Sequence, residues 1–152
     1  MPGQVIGKTL NYGFPGTVSH SPDTIIDAFT VTGDDIQFGD PVVLNDDGTI
    51  SRFDSESNTA ADFIGFAVRG VKQAFNLEGD AYYREGETAG VLTRGYLSVH
   101  IASGEPVQRG AVKIDGSDIV ASGGVALTNA IFRTDQLDAN GVTEVTILNR
   151  VV

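Results

Sequence analysis

Two histidines are the side chains of this chain that would most readily act as a general base near neutral pH. His100 lies in a stretch of alternating polar and apolar residues, whereas His20 lies in an N-terminal stretch with little pattern. Neither histidine stands at a recognisable spacing from a nucleophile, which is the arrangement that covalent catalysis needs. We therefore expect both to be ordinary surface or interface residues, and the sequence predicts no catalytic residue.

Carboxylates cluster near glycine-rich turns and could in principle bind Ca²⁺ or hydrolyse sugars. The clustered acids are Asp34, Asp35, Asp40, Asp46, Asp47, Asp54, Glu78, Asp80, Glu85 and Glu87. An EF-hand loop needs an acid five residues before its glycine, but Val43 stands at that distance from Gly48. The chain also lacks the tryptophans that often line sugar clefts. We interpret these acids as turn residues and predict no metal site and no cofactor.

The composition excludes several classes of function. Ten basic and twenty acidic residues give a net charge of −10, which works against binding to nucleic acid or to anionic membranes. The absence of cysteine removes disulfides and thiolate metal sites. We see no signal peptide and no apolar run near the roughly 20 residues that span a bilayer. We expect a soluble protein that is synthesised in a host cytoplasm.

One short turn motif recurs three times before valine-rich or alanine-containing segments. Each copy has a glycine followed by an acid, and the copies are Phe38-Gly39-Asp40-Pro41-Val42, Glu85-Gly86-Glu87-Thr88-Ala89 and Ser103-Gly104-Glu105-Pro106-Val107. Glycine supplies the backbone angles of a tight turn, and the acid can cap the turn through its backbone. Proline is tolerated at the first residue of a strand. The motif predicts tight turns that lead into short strands.

Hairpin and strand patterns fill most of the remaining chain. A hairpin is predicted for 41–51, with the pair Asp47-Gly48 in its turn. The stretch Phe63–Val68 indicates a buried strand in which Gly65 marks a bulge or a close backbone approach. The segment 71–80 is ambiguous, and 116–124 is interpreted as a small-residue loop.

The clearest alternation lies between Val91 and Ile101. Leu97, Val99 and Ile101 are expected on the core face, with Tyr96, Ser98 and His100 on the other. A hairpin turn at Asp138–Gly141 precedes a last strand that starts at Val142. Because no amphipathic helix of twelve or more residues is apparent, we predict an all-β fold, a compact barrel or sandwich of short antiparallel strands within residues 24–152.

The first 23 residues are glycine-rich and contain little that could form a core. Two interpretations stay open: the segment is draped over its own domain, or it is an arm that docks on a neighbouring molecule. Its isolated apolar residues are the candidate partner-binding residues, namely Tyr12, Phe14, Pro15 and Val18.

The order and spacing of these motifs resemble the structural cement, or capsid decoration, proteins of tailed bacteriophages. The resemblance rests on Gly13–Gly16, Phe38–Val42, Asp47–Ile50, Phe63–Arg69, Gly86–Gly95, Pro106–Val112 and Ala139–Ile147. It covers the chain from about Gly13 to its end. Each motif alone is ordinary turn-and-strand chemistry, and their order carries the match.

The resemblance implies a virion structural protein without catalytic or cofactor residues. Such proteins bind the outer surface of the capsid and stabilise junctions between major capsid proteins. The major capsid protein is therefore the expected partner, and a homo-oligomer is expected, with a trimer favoured over a dimer. Plain loops at Ser55–Asp62 and Ser117–Gly124 argue against an added receptor-binding function.

Two alternatives remain open from the residues themselves. A non-catalytic binding module, such as a phage adhesin or carbohydrate-binding head domain, would use the acidic loops and Tyr82-Tyr83. A hydrolase with a scattered site is disfavoured because no nucleophile and base stand at a recognisable spacing.

Overall fold

A computed structural model describes residues 13–70, 82–102 and 104–148, and the fold given below is that of these residues. They form eleven strands: β1 (Val18–Thr30), β2 (Ile36–Gln37), β3 (Pro41–Leu44), β4 (Ile50–Arg52), β5 (Phe63–Ala67), β6 (Tyr82–Tyr83), β7 (Thr88–His100), β8 (Gly110–Asp115), β9 (Asp118–Val120), β10 (Val125–Phe132) and β11 (Val142–Ile147). No helix occurs in this part of the chain, and none that could span a membrane was found there. The predicted all-β class is confirmed.

Nine strands form one curled antiparallel sheet, a half-barrel. Eight of them follow the order β4-β3-β5-β7-β11-β10-β8-β9, and the ninth, β1, pairs with β7 outside this order. The long strand β7 organises this sheet. One edge of β7 pairs with β5 near Leu92 and with β11 from Gly95 to His100, while β1 pairs along its other edge. The strands β2 and β6 pair separately as a small two-stranded sheet.

The sheet carries a core on each of its two faces. The larger core contains four buried phenylalanines, namely Phe53, Phe63, Phe66 and Phe132. A smaller core on the opposite side includes Ile36, Val42 and Val91. Burial on both faces explains why β5 is buried at all five positions, although a strand with one wet face would alternate.

Most of the predicted alternation in β7 is confirmed. Leu97, Val99 and Ile101 are fully buried, and His100 is exposed. Ser98 is also fully buried, contrary to its placement on a wet face. The chain before β1 covers it, because the N–H of Gly16 donates to the Ser98 carbonyl at 2.8 Å and the Ser98 N–H donates to the Thr17 carbonyl at 2.9 Å.

Gly65 fulfils the prediction of a close backbone approach. A Cβ atom at this position would lie 2.1 Å from the carbonyl oxygen of Leu92 on the paired strand β7. No side chain fits at that distance, so β5 can approach β7 only with glycine here.

Three local predictions need correction or lie outside the described residues. The hairpin of β3 and β4 is confirmed, but its turn centres on Asp46-Asp47: the Gly48 N–H donates to the Asn45 carbonyl, and Gly48 has φ +85°. The predicted loop 116–124 contains strand β9, which pairs with β8 through the tight turn at Gly116. The ambiguous segment 71–80 lies outside the described residues.

Candidate functional site

The first two copies of the recurring turn adopt one geometry. The Asp40 carboxylate accepts the Gln37 N–H at 2.9 Å, and the Glu87 carboxylate accepts the Arg84 N–H at 2.9 Å. Gly39 and Gly86 have φ of +87° and +86°, the values that the third position of a type II turn requires. The acid therefore caps the turn in both copies, as the sequence predicts.

Each copy also forms the same bulge against a neighbouring strand segment. The N–H of Gly39 donates to the Ala67 carbonyl, and the N–H of Ala67 donates to the Asp40 carbonyl, at 2.7 and 2.9 Å. Val31 makes the equivalent pair of bonds with the second copy. In each copy the glycine and the acid thus lie opposite a single residue of the neighbouring segment. This bulge bends the chain into β3 in the first copy and into β7 in the second.

The third copy has a different turn, which is closed by the N–H of its glycine and not by that of its acid, and it does not lead directly into a strand. Gly104 has φ +65°, and its N–H donates to the Ile101 carbonyl at 3.2 Å. Val107 is buried, yet the next strand starts only at Gly110. Ser103 lies outside the described residues. The motif therefore predicts the local turn better than it predicts the start of the next strand.

The predicted partner-binding residues Phe14 and Pro15 lie on a turn that is fixed to the body of the protein. The Arg69 N–H donates to the Gly16 carbonyl at 2.7 Å, and Gly16 has φ +82°. A Cβ at Gly16 would lie 2.8 Å from the Phe38 Cβ and 2.9 Å from the Arg69 nitrogen. This close packing holds the turn against the first copy of the recurring motif.

Phe14 projects from that fixed turn with 67% of its surface exposed. The guanidinium of Arg69 lies 4.8 Å from its ring centroid, a cation–π distance. Beside the ring lies a groove of about 400 Å³, lined by Gly13, Phe14, Pro15, His100, Asn140 and Val142. An exposed aromatic ring on a rigid base beside an open groove is suited to contact another protein.

The other two candidates differ from Phe14. Val18, the first residue of β1, is half-buried and packs against the larger core. Tyr12 lies outside the described residues. The predicted boundary between 1–23 and 24–152 stays a prediction, although β1 extends across it from Val18 to Thr30.

The partly buried carboxylate of Asp40 lies next to this groove. Burial raises the pKa of Asp40 to about 6, although the guanidinium of Arg52, with its Nε 3.0 Å from Oδ2, and the Gln37 N–H act in the opposite direction. Asp118 adds to the upward shift and lies 3.8 Å from the same guanidinium. The second, smaller cavity of about 160 Å³ is lined by Asp40 and Asp118, and it shares Pro15 and His100 with the groove. The sequence marked Asp40 as a turn cap but gave no sign of its burial.

His20 takes part in a surface network that ties β1 to the sheet. Its Nε2 lies 3.3 Å from Glu144 Oε1 on β11, and its ring meets Tyr96 edge-on at 5.3 Å. The Arg133 guanidinium donates to the same Glu144 oxygen at 2.5 Å and stacks over Tyr96 at 4.6 Å. These contacts join β1 to the neighbouring strands, so His20 has a structural role here.

The acidic clusters mostly serve turns. Asp47 accepts the N–H and the hydroxyl of Thr49, and these bonds hold its pKa below the usual range. Asp54 accepts the Glu56 N–H. No group of three or more potential ligands that could hold a metal occurs among 13–70, 82–102 and 104–148. Glu78 and Asp80 lie outside those ranges.

The tyrosine pair proposed for sugar binding is not a free surface. Tyr83 is only 7% exposed, and its hydroxyl donates to the Val68 carbonyl at 2.7 Å. Its ring packs edge-on against Phe38 at 5.2 Å. Tyr82 is half-buried on the same short strand.

An all-β body with a rigid aromatic turn and no metal cluster in its described part is typical of a small structural or binding subunit. The comparisons with known proteins identify which kind. The family model described as "Structural cement protein (E217 gp24/Pam3 gp6)" matches residues 1–148. The chain therefore belongs to the family of phage structural cement proteins, which makes it a structural component of the virion.

Structural comparison agrees on the fold. A chain from the solved capsid of Myoviridae phage XM1 is similar with a TM-score of 0.71, at 20% sequence identity, over 97% of this chain and 96% of that chain. At this identity the likeness concerns the fold alone. No curated protein matches the sequence.

Proposed function

We propose that this protein binds the outer surface of a tailed-phage capsid and stabilises the junctions between major capsid proteins. The observation that carries the proposal is the match of the cement family model to residues 1–148. In this role the protein contributes binding surface and rigidity, and it needs no catalytic residue or cofactor.

The turn at Phe14-Pro15 is the contact surface that we propose for the capsid. Phe14 is the most exposed large apolar side chain of the described residues, and its backbone is anchored through Gly16 to Ser98 and Arg69. A pre-organised aromatic anchor loses little conformational entropy on binding. Many subunits on one shell can together stabilise it even when each contact is modest.

Co-sedimentation with capsids that lack the protein tests the proposal. We expect saturable binding and a higher temperature of capsid rupture than for undecorated capsids. Protein that stays in the supernatant and leaves the rupture temperature unchanged would overturn the proposed function.

A matched pair of variants tests the contact surface separately. Phe14→Ala should weaken capsid binding about tenfold or more, since buried aromatic anchors typically contribute over about 1.4 kcal/mol to binding. Ile131→Ala, at an isoleucine that is 36% exposed on β10, should bind as the unchanged protein does. Equal binding by both variants would remove Phe14 from the interface while leaving capsid binding itself intact.

A further inference from the structure

The outer edge of β1 is an open sheet edge. β1 pairs with β7 on one side. Within the part of the chain that the structure describes, its residues 24–29 pair with no second strand, and the parallel bridge between Val31 and Ile50 occupies the edge from the Thr30 carbonyl onward. Val31 exchanges backbone bonds with Gly86 and Glu87, which fixes the odd-numbered residues as those that face β7. Hydrogen-bonding direction alternates along a strand, so Ile26, Ala28 and Thr30 direct their N–H and C=O groups outward.

The two ends of this open edge are defined by the backbone. At one end the Thr32 N–H donates to the Ile50 carbonyl within the parallel bridge between Val31 and Ile50, so β4 occupies the edge from the Thr30 carbonyl onward. At the other end Asp23 has φ +72°, and the pairing with β7 shifts register between His20 and Ile25. It shifts again between Ile25 and Ile26, where Thr93 is the extra residue on β7. The segment Thr24–Thr30 lies between these limits, and the outward backbone groups of its residues 24–29 are left for a further strand.

The side chains of this segment do not protect the edge in the usual way. Exposed edges commonly carry lysine, proline or outward charges that prevent strand addition. Here Ile25 and Ile26 are 48% and 47% exposed, and Asp27 is the only charged residue of the segment. The Asp27 carboxylate accepts the Thr93 hydroxyl at 3.3 Å and is thereby drawn toward β7.

We propose that this edge pairs with the same edge of a second copy of the chain, antiparallel and about a twofold axis at Ile26. In this register Ile26 lies opposite its own counterpart, and Thr24 lies opposite Ala28. Asp27 lies opposite Ile25, so the two Asp27 carboxylates do not face each other. Pairing about Asp27 would place like charges directly opposite, which is unfavourable.

Charge favours this edge as the place where two copies meet. The chain has twenty acidic and ten basic residues, so two copies repel over most of their surfaces. The segment Thr24–Thr30 carries one acid that is already hydrogen-bonded, and it offers apolar side chains on both faces of the sheet. A twofold contact uses the same patch from each subunit, and β1 supplies a patch that complements itself.

The natural absence of cysteine permits a direct test by disulfide cross-linking. Ile26→Cys places the two Cα atoms about 5.5 Å apart in a hydrogen-bonded antiparallel pair, within disulfide range. The matched control Ile25→Cys places them diagonally, more than about 7 Å apart, which is too far. We expect efficient cross-linking of Ile26→Cys under oxidising conditions and little of Ile25→Cys.

Sedimentation analysis of uncross-linked protein gives an independent measurement. The unchanged protein should form a dimer, and Ala28→Pro should raise the dimer dissociation constant about tenfold, because symmetry removes two hydrogen bonds and each contributes modestly. Proline is tolerated where the N–H points away from the sheet, so the monomer should melt normally. Ile26→Lys should also dissociate the dimer, whereas Ile131→Lys should not.

A protein that is monomeric at every concentration, with no disulfide at position 26, would overturn the proposal. Monomeric protein whose β1 variants fail to bind capsids would overturn it too and would assign the edge to a capsid-protein strand. Efficient cross-linking at both 25 and 26 would contradict the register. The cross-linking and sedimentation outcomes do not depend on whether the protein binds or stabilises capsids, so they are distinguishable from a failure of the proposed function.

Discussion

The turns at Gly39-Asp40 and Gly86-Glu87 have the same local structure but different surroundings. Both have a glycine at positive φ, a carboxylate that caps the turn and a bulge against one opposing residue. The first turn packs against Pro15 and Gly16 and carries a partly buried acid that pairs with Arg52. Gly86 has open space around it, and Glu87 is half-buried. The comparison separates what a turn sequence dictates from what packing adds.

Alanine at the two glycines should separate those contributions most clearly. A Cβ at Gly39 would lie 3.0 Å from the Gly16 nitrogen and 3.3 Å from the Pro15 Cβ, whereas at Gly86 nothing lies within 4 Å. Both variants bear the strain of positive φ, about 1–2 kcal/mol. Gly39→Ala adds an overpacking cost of about 1–3 kcal/mol.

Urea denaturation measures this difference in the free energy of unfolding. Gly39→Ala should be less stable than Gly86→Ala by at least about 1 kcal/mol, the lower limit of that overpacking cost. If the two variants lost the same amount of unfolding free energy, the Pro15-Gly16 segment would have to move away from the new methyl group at no cost. That result would also weaken the case for a rigid base beneath Phe14.

The partly buried Asp40 should make the free energy of unfolding depend on pH. Its pKa is about 6 in the folded protein and is expected near the ordinary value of 3.8 when unfolded. The folded state therefore binds the proton more tightly, and this stabilisation is present below about pH 4 and lost as pH rises through 6. Relative to Asp40→Asn, the unchanged protein should be about 1 kcal/mol more stable at pH 5 than at pH 7.5.

Asp118→Asn sharpens this experiment. The negative charge of Asp118 raises the pKa of Asp40, so its removal should move the midpoint of the pH dependence downward. Thermal unfolding at a series of pH values provides the measurement. A difference between unchanged protein and Asp40→Asn that does not vary with pH would show that Asp40 does not titrate in this range.

The smallest effect is expected from the cap of the second turn. Glu87→Ala removes the acceptor of the Arg84 N–H and should cost about 0.5–1.5 kcal/mol, the usual net contribution of one hydrogen bond. Glu87→Gln keeps an acceptor oxygen and should retain most of the stability in urea denaturation. If Gln were as destabilising as Ala, the charge of Glu87 would matter more than its hydrogen bond.

The family and much of the local structure were predictable from the sequence. The first two glycine-acid turns, the hairpin at 41–51 and the close approach at Gly65 were identified correctly, because glycine angles, side-chain caps and period-two alternation are local properties. The cement family match confirms the resemblance that the order of these motifs carries. The capsid-contact residues stay predictions. The trimer favoured from the sequence also stays a prediction, and the twofold contact proposed for β1 is the alternative to it.

Tertiary structure alone decided the features that depend on distant residues. Ser98 has a polar side chain on an outward face, yet residues 16–17 cover it. Asp40 and Glu87 have equivalent turns, but only the surroundings decide their electrostatics. For Asp40, burial raises the pKa most, Arg52 lowers it and Asp118 raises it. The open edge of β1 likewise depends on which strands pair with β7. Sequence patterns predict the local backbone conformation and which face of a strand is buried. Burial by remote segments and free sheet edges arise only when the strands assemble.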